Sequence, residues 1–287
     1  MLLRELRKLY HKELEAIYPV SEIDSILDIL LEYYHGIGRF VLALQPGFSL
    51  TKKEEQPLIE ALARLLEEEP VQYITGSAHF FGLDFKVNAN VLIPRPETED
   101  LIRWILEGLG DKKQKLNILD IGTGSGNIAI SLASQLPQSQ VYALDISQQA
   151  LDLAEINARA NQVDVKFISG DIRKLNSLDR SFNIIVSNPP YVRISESREM
   201  KNNVKKYEPW QALFVPDEAP LLFYECIANF GRKNLKQGGQ LYLEINQYLG
   251  NEVVQLLKEK DYKHIELKPD LFGKDRMVKA VFNGKTL

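Results

Sequence analysis

From Leu116 onward, short apolar runs rich in β-formers alternate with stretches of helical pattern, and nothing else in the chain restricts its fold as much. Strands are expected at 116–121, 140–145, 164–169, 182–187 and 240–245. Helices are expected between them at 127–135, 147–161, 220–235 and 249–260. A strand that reaches the next strand only through a helix has room to lie parallel to it, with helices covering both faces of the sheet. The expected fold is therefore α/β, a doubly wound, mostly parallel, Rossmann-like sheet. Segments 264–268 and 276–282 supply two further candidate strands at the end of the chain.

The first 75 residues read differently. Leu2, Leu6, Leu9, Leu14 and Ile17 recur at helical spacing, with charges between them. Pro19 ends that segment, and Ser21, with Asp24 three residues on, is positioned to cap the next helix. Ile23, Ile26, Leu27, Leu30 and Leu31 give this second helix its apolar stripe, and Gly36 and Gly38 break it. A third helix is expected at 51–68, with Ile59, Leu62, Leu65 and Leu66 on one face. Between 72 and 94, β-formers (Tyr73, Phe80, Phe81, Phe85, Val87) mix with turn residues (Gly76, Gly82, Asn88, Asn90), as in a β-hairpin. Pro94-Arg95-Pro96 stiffens the chain, and Glu97-Thr98-Glu99 puts acid into the first turn of a following helix. The division is a helical domain at 1–75, a hairpin linker at 76–95 and an α/β domain at 96–287.

Asp120-Ile121-Gly122-Thr123-Gly124-Ser125-Gly126 follows an apolar strand and opens a helix. Glycines there let the chain turn sharply and let a ligand touch the backbone, beside the free N–H groups of a helix amino terminus. The spacing is G-x-G-x-G, whereas the dinucleotide fingerprint is G-x-G-x-x-G, which counts against a nicotinamide oxidoreductase. Asp120 would bring negative charge close to the ligand, repelling a pyrophosphate but suiting a ligand with an ammonium and a sulfonium. Asp145 ends the next strand about 20 residues past the loop, where an acidic side chain can hold ribose hydroxyls. Asp171 follows the third strand, placed to meet an adenine amino group, and Ile172 beside it can pack on the ring. Either aspartate alone would read equally well as a helix cap; the ordered set reads as a nucleoside site.

Ser187-Asn188-Pro189-Pro190-Tyr191 ends the fourth strand, on the side of the sheet where open α/β folds bind ligands. An amide nitrogen is a poor nucleophile, because its lone pair is delocalised into the carbonyl. The Asn188 side-chain oxygen and the Pro189 carbonyl offer two acceptors for its N–H groups, holding the nitrogen and favouring the charge that develops on it. Pro190 stiffens the turn, and Tyr191 offers an aromatic face to a planar group or a cation. The bland alternative is a proline-stiffened strand end.

The totals limit the alternatives. A net charge of −4 argues against whole-surface attraction to nucleic acid. The single cysteine, Cys226, forms no internal disulfide and lies in an apolar stretch, as a core residue does. The four histidines are scattered without metal-ligand spacing, so no metal is expected. The amino-terminal segment lacks the apolar run of a signal peptide, and no stretch has the length of a membrane span. A cytoplasmic monomer is expected.

The pair D-I-G-T-G-S-G and N-P-P-Y resembles the class I methyltransferases that act on exocyclic or amide nitrogen. The resemblance narrows to the peptide chain release factor glutamine N5-methyltransferases. Pro70-Val71-Gln72-Tyr73-Ile74-Thr75-Gly76, Phe80-Phe81-Gly82-Leu83, the run from Val91 to Glu99, Tyr207-Glu208-Pro209 and Gly273-Lys274-Asp275-Arg276 all carry it. It implies a five-helix amino-terminal domain that recognises the protein substrate, a β-hairpin and a seven-stranded catalytic domain. It implies S-adenosylmethionine as donor, S-adenosylhomocysteine as product, and as acceptor the glutamine of the Gly-Gly-Gln motif in class 1 release factors. Gly122, Thr123, Gly124, Ser125, Gly126, Asp145, Asp171, Ile172 and Asn188 would hold the donor. Asn188, Pro189, Pro190 and Tyr191 would hold the glutamine, with Asn188, Pro189 and Tyr191 carrying the transfer. Some relatives have an aromatic residue where Ile172 stands, which weakens adenine stacking here. The chain's own Gly238-Gly239-Gln240 reads as a turn entering a strand. Two rivals remain: a DNA adenine N6-methyltransferase, which holds a flipped base and would need a DNA-target domain and a basic groove, and a binding module that kept the fold without catalysis.

Overall fold

A computed structural model of the chain describes residues 1–110, 113–270 and 273–284. In chain order the elements are α1 (Leu3–Leu14), α2 (Val20–His35), α3 (Val41–Leu44), α4 (Lys52–Leu66), α5 (Val71–Thr75), β1 (Ser77–Phe80), β2 (Leu83–Lys86) and α6 (Pro96–Glu107). Next come β3 (Asn117–Ile121), α7 (Asn127–Gln135), β4 (Gln140–Asp145), α8 (Gln148–Ala160), β5 (Val165–Ser169), β6 (Phe182–Ser187) and β7 (Val192–Arg193). The last are α9 (Asn202–Tyr207), β8 (Phe214–Val215), α10 (Leu222–Asn234), β9 (Leu235–Glu244), α11 (Gly250–Glu259), β10 (Tyr262–Pro269) and β11 (Asp275–Phe282). Among the described residues, no helix is long and apolar enough to cross a membrane.

One compact unit comprises Met1–Ser77 together with Lys201–Tyr207. Its five amino-terminal helices bury Leu3, Leu6, Tyr10 and Leu14 of α1 against Ile23, Leu27 and Leu30 of α2 and Leu58, Leu62 and Leu65 of α4. Thr51 and Glu54 form a reciprocal capping box that starts α4. Ser21 does not cap α2: that helix begins one residue earlier, at Val20, with Pro19 in the cap position, where its missing N–H costs nothing. Asp24 accepts instead from Arg7 and His11, at 2.8 and 2.6 Å, tying α1 to α2. The buried face of α4 also differs from expectation. It is Leu58, Ala61, Leu62 and Leu65, while Ile59 and Leu66 lie exposed on either side. The Tyr207 hydroxyl donates to the Glu67 carbonyl at 2.8 Å, which anchors the 201–207 segment in this unit.

The other unit comprises Ala78–Met200 and Glu208–Leu287. Its main sheet has seven strands in the order β10-β11-β9-β6-β3-β4-β5. Strands β9, β6, β3, β4 and β5 run parallel; β11 and β10 pair antiparallel at one edge. Period-two alternation sends Ile118, Val141, Ala143 and Ile184 to one face, under Leu101, Ile105, Ile128 and Leu132 of α6 and α7. Leu119, Ile121, Ile185 and Leu243 go to the other, under Tyr224, Ile227, Val253 and Leu257 of α10 and α11. Both faces are dry, so the strands read as almost unbroken apolar runs.

The hairpin is shorter than the sequence suggests. Gln72–Thr75 belong to α5, and the strands are only β1 and β2. Phe81 and Gly82 both take positive φ (51° and 77°), the geometry of a two-residue turn matching the twist of its flanking strands. Phe80 and Phe85 bury their rings in the core beneath, edge to face at 6.0 Å. Gly238-Gly239-Gln240 lies inside β9, where the pairing with β6 slips register; Gly238 has φ of 76°, and the Gln240 side chain accepts from Tyr242.

Candidate active site

The chain runs outward from β3 through β4 to β5, then returns to the other side of β3 for β6. This makes a topological switch point between β3 and β6, where open α/β sheets bind ligands. A cavity of about 220 Å3 opens there. Its walls come from the carboxyl ends of four strands: Ile121–Ser125, Leu144–Ser147, Gly170–Arg173 and Ser187–Pro190. Ser187 ties two of these ends together, its hydroxyl donating to the Ile121 carbonyl at 2.6 Å.

The glycine loop forms one wall. Gly122 and Gly124 have φ of 74° and 54°, and a Cβ at either would meet open space, so their backbone lies bare to the cavity. Gly126 serves packing: a Cβ there would stand 2.8 Å from Ile130 Cδ1 and 3.1 Å from Ala154 Cβ. Thr123 and Ser125 line the cavity, but their hydroxyls turn to Asp120 and Asn127, leaving the backbone to face the cavity.

Asp145 projects from the end of β4. Its Oδ2 accepts from the Gly124 N–H and its Oδ1 from the Ser147 N–H, both at 2.9 Å. Burial pushes its carboxyl above the usual range, against the pull of these N–H groups. Asp120 is not part of the wall. Strand alternation places it on the inner face with Ile118, fully buried, where Oδ2 accepts from Thr123 Oγ1 at 2.6 Å and from the Ala129 N–H at 3.3 Å. Burial without solvent or a cation pushes its carboxyl up to about 7. Asp120 thus braces the loop from below, contrary to the charge toward the ligand that its position in the sequence suggested.

Asp171 and Ile172 both line the cavity beyond β5. The Asp171 carboxylate is held by a two-pronged contact from Arg173 at 2.9 Å, which keeps it below the usual range. Asn188 and Pro189 stand where the cavity meets a smaller recess of about 50 Å3, lined also by Leu92, Arg95, Tyr191 and Leu213. Pro190 faces the cavity and Tyr191 the recess. The Tyr191 hydroxyl turns inward and donates to Glu244 at 3.1 Å, so its ring and not its hydroxyl is offered to the recess.

Several residues around the site were given no role from the sequence. Glu244, at the end of β9, is fully buried and accepts from Thr98 Oγ1 at 2.6 Å. Glu208 is buried and accepts from Arg95 at 2.6 Å and from the Ile93 N–H at 3.4 Å. Asn157 of α8 donates to the carbonyls of Ser125 and Lys86 and accepts from the Lys86 N–H. Glu244 had a signal, an acid closing an apolar strand as Asp145 does; Asn157 had none.

Similarity to known proteins follows the same outline. Residues 5–76 match the family of PrmC N-terminal domains, and residues 102–205 the methyltransferase small domain. The crystal structure of a methyltransferase from Pyrococcus furiosus superposes with a TM-score of 0.53 at 19% identity, covering 78% of this chain and 98% of that one, which shows the fold. A release factor glutamine methyltransferase of Bacteroides thetaiotaomicron is 40% identical, covering 94% of this chain and 96% of that one. Its counterpart in Flavobacterium psychrophilum is 48% identical, covering 98% of this chain and 100% of that one. At such identity, sustained through both units, the chain belongs to the release factor glutamine methyltransferase family.

Proposed function

We propose that this protein transfers a methyl group from S-adenosylmethionine to the side-chain amide nitrogen (N5) of the glutamine in the Gly-Gly-Gln motif of class 1 peptide chain release factors, and so modulates translation termination. The observation that carries this reading is the position of Asn188 and Pro189, at the junction of a nucleoside-sized cavity and a small recess. The donor fits the larger space. Two open glycines cradle it, and Asp145 offers the lone pairs its N–H partners leave over to the ribose hydroxyls. Asp171 and Ile172 border the base, and S-adenosylhomocysteine leaves from the same cavity. When bound, the donor would supply an activated methyl with its own leaving group; the N–H proton that the transfer makes acidic passes to water, so the chain need provide no strong base.

The residues of this chain supply position. The Asn188 side-chain oxygen and the Pro189 carbonyl accept the two N–H groups of the glutamine amide, which hold the nitrogen in line and favour the positive charge that grows on it. Pro190 fixes the turn, and Tyr191 packs on the planar amide. The recess, bounded by Leu92 and Leu213, suits a side-chain amide far better than a flipped purine. Substrate recognition falls to the helical domain at 1–75, joined through the hairpin at 76–95 to the catalytic domain at 96–287. A release factor as substrate puts the enzyme, as a monomer, in the cytoplasm with the translation machinery.

The test is methyl transfer from labelled S-adenosylmethionine to a purified class 1 release factor, its Gln→Ala loop variant and duplex DNA. Label on the wild-type factor alone is expected. Label on DNA would make the protein an adenine methyltransferase, and donor binding without transfer to any acceptor would make it a silent binding module.

A further inference from the structure

We infer that Glu244 and Thr98 are positioning residues that fix which way round the Asn188 carboxamide stands, so that its oxygen and not its nitrogen meets the acceptor amide. The inference rests on the reading that Asn188 holds the acceptor. It arises from a chain of hydrogen bonds joining three elements. Asn188 Nδ2, beyond the end of β6, lies 3.2 Å from Thr98 Oγ1 in the first turn of α6. Thr98 Oγ1 lies 2.6 Å from Glu244 Oε2 at the end of β9. Glu244 Oε1 accepts from the Tyr191 hydroxyl at 3.1 Å.

The direction of this chain follows from what each group can do. An ionised carboxylate only accepts hydrogen bonds. The single hydroxyl proton of Thr98 is therefore committed to Glu244, and the oxygen of Thr98 is left as an acceptor. Of the two ends of the Asn188 amide, only the NH2 can meet an acceptor. Turning the amide over would set Asn188 Oδ1 against a hydroxyl oxygen with no proton to give, a lone-pair clash in place of a hydrogen bond. Thr98 is 1% exposed and Glu244 1%, so solvent does not scramble the arrangement. Burial raises the Glu244 carboxyl above its usual range, against the pull of Thr98, the Arg276 charge and the Tyr191 hydroxyl toward the charged form.

The consequence belongs to transfer and not to donor binding. An acceptor amide brings two N–H groups and needs oxygens opposite them. An inverted Asn188 would face it donor to donor. The same carboxylate also holds Tyr191, so one buried acid orders both side chains that flank the acceptor nitrogen.

The test compares Thr98→Val, which keeps the shape but removes the hydroxyl, with Thr98→Ser, which keeps the hydroxyl, and with Asn188→Ala. Thr98→Val is expected to lower kcat on the release factor by roughly 100-fold, the scale of a displaced catalytic contact. The KM for the factor and the Kd for S-adenosylmethionine by calorimetry should stay within about twofold on this account, and Thr98→Ser should recover kcat to within about threefold. Wild-type kcat in Thr98→Val, a parallel loss of donor affinity, or failure of Thr98→Ser to rescue would each overturn the inference and leave Thr98 a packing residue. Should Thr98→Val not fold, Glu244→Met decides on the same readouts, since it keeps roughly the length of the side chain but removes both acceptor oxygens; wild-type kcat there overturns the inference equally. Near-normal turnover in Asn188→Ala would sink the reading of Asn188 itself and this inference with it. An inactive Asn188→Ala beside a fully active Thr98→Val would sink only the inference.

Discussion

Asp120 and Asp145 end neighbouring strands, and their surroundings send them to opposite tasks. Asp145 keeps one edge in the cavity and receives two backbone N–H groups. Asp145→Ala should weaken S-adenosylmethionine binding by about 1–3 kcal/mol, the worth of a charged hydrogen bond, measured by calorimetry; unchanged affinity would remove it from the site. Asp120 is wholly enclosed, and its Oδ1 has no partner among the described residues. Its carboxyl moves from 3.8 to about 7, so the folded protein holds this proton more tightly than the unfolded chain does. The stability this confers is complete below the ordinary aspartate range and is lost as pH rises through about 7. Denaturant melts at pH 5 and pH 8 should therefore show the wild type losing stability relative to Asp120→Asn by a few kcal/mol. An equal difference at both pH values would contradict the buried proton. At this scale the sequence pointed to Asp145 and Asn188, both of which line the cavity, because a glycine loop and a proline turn mark where strands end. It did not show Thr98 as the partner of Glu244, since 146 positions separate them and only the folded sheet brings them together.

Elements differed in how plainly they announced themselves. Strands β4 and β6 were legible to the residue, because parallel strands buried on both faces are almost unbroken apolar runs ending in a polar residue. The short helices α3 and α5 carried too few turns for a periodic signal, and the β-former Tyr73 read as strand although the backbone there is helical. What holds neighbouring elements in register is also hard to read. Asn157 reaches from α8 to both Lys86, at the end of β2, and Ser125, in the glycine loop, with three hydrogen bonds of 2.7, 3.0 and 2.9 Å. Its side chain is fully buried, so Asn157→Ala would leave the buried Ser125 carbonyl without this donor and cut the tie to Lys86. We expect that variant to lose about 2–3 kcal/mol in denaturant melts. A loss under 1 kcal/mol would show the tie to be incidental.

For the whole molecule, the sequence established the α/β class and the parallel sheet, but the strand order required the fold. Nothing in residues 262–282 says that their two strands turn antiparallel and close one edge. That order has a dynamic consequence. β3 and β6 lie inside the sheet, with paired strands on both sides and helices on both faces. Their amides should exchange with solvent most slowly, near the global unfolding rate, and those of β5 and β10 at the edges faster. Hydrogen exchange by mass spectrometry checks this, and equal protection of edge and centre would refute it.

The seven residues 201–207 cluster with the helical unit, although the chain on either side of them belongs to the sheet-bearing unit. The polypeptide therefore crosses between the two units three times, at Ser77, Met200 and Tyr207. The helical unit is not a bead on a string that a single break in the thread would release. A gene fragment ending at Ser77 encodes an incomplete body, and grafting it onto another catalytic chain would leave out a piece that its own partner carries. Recombination between distant relatives is thus constrained: the helical unit and the stretch after the Asn-Pro-Pro-Tyr turn must be inherited together.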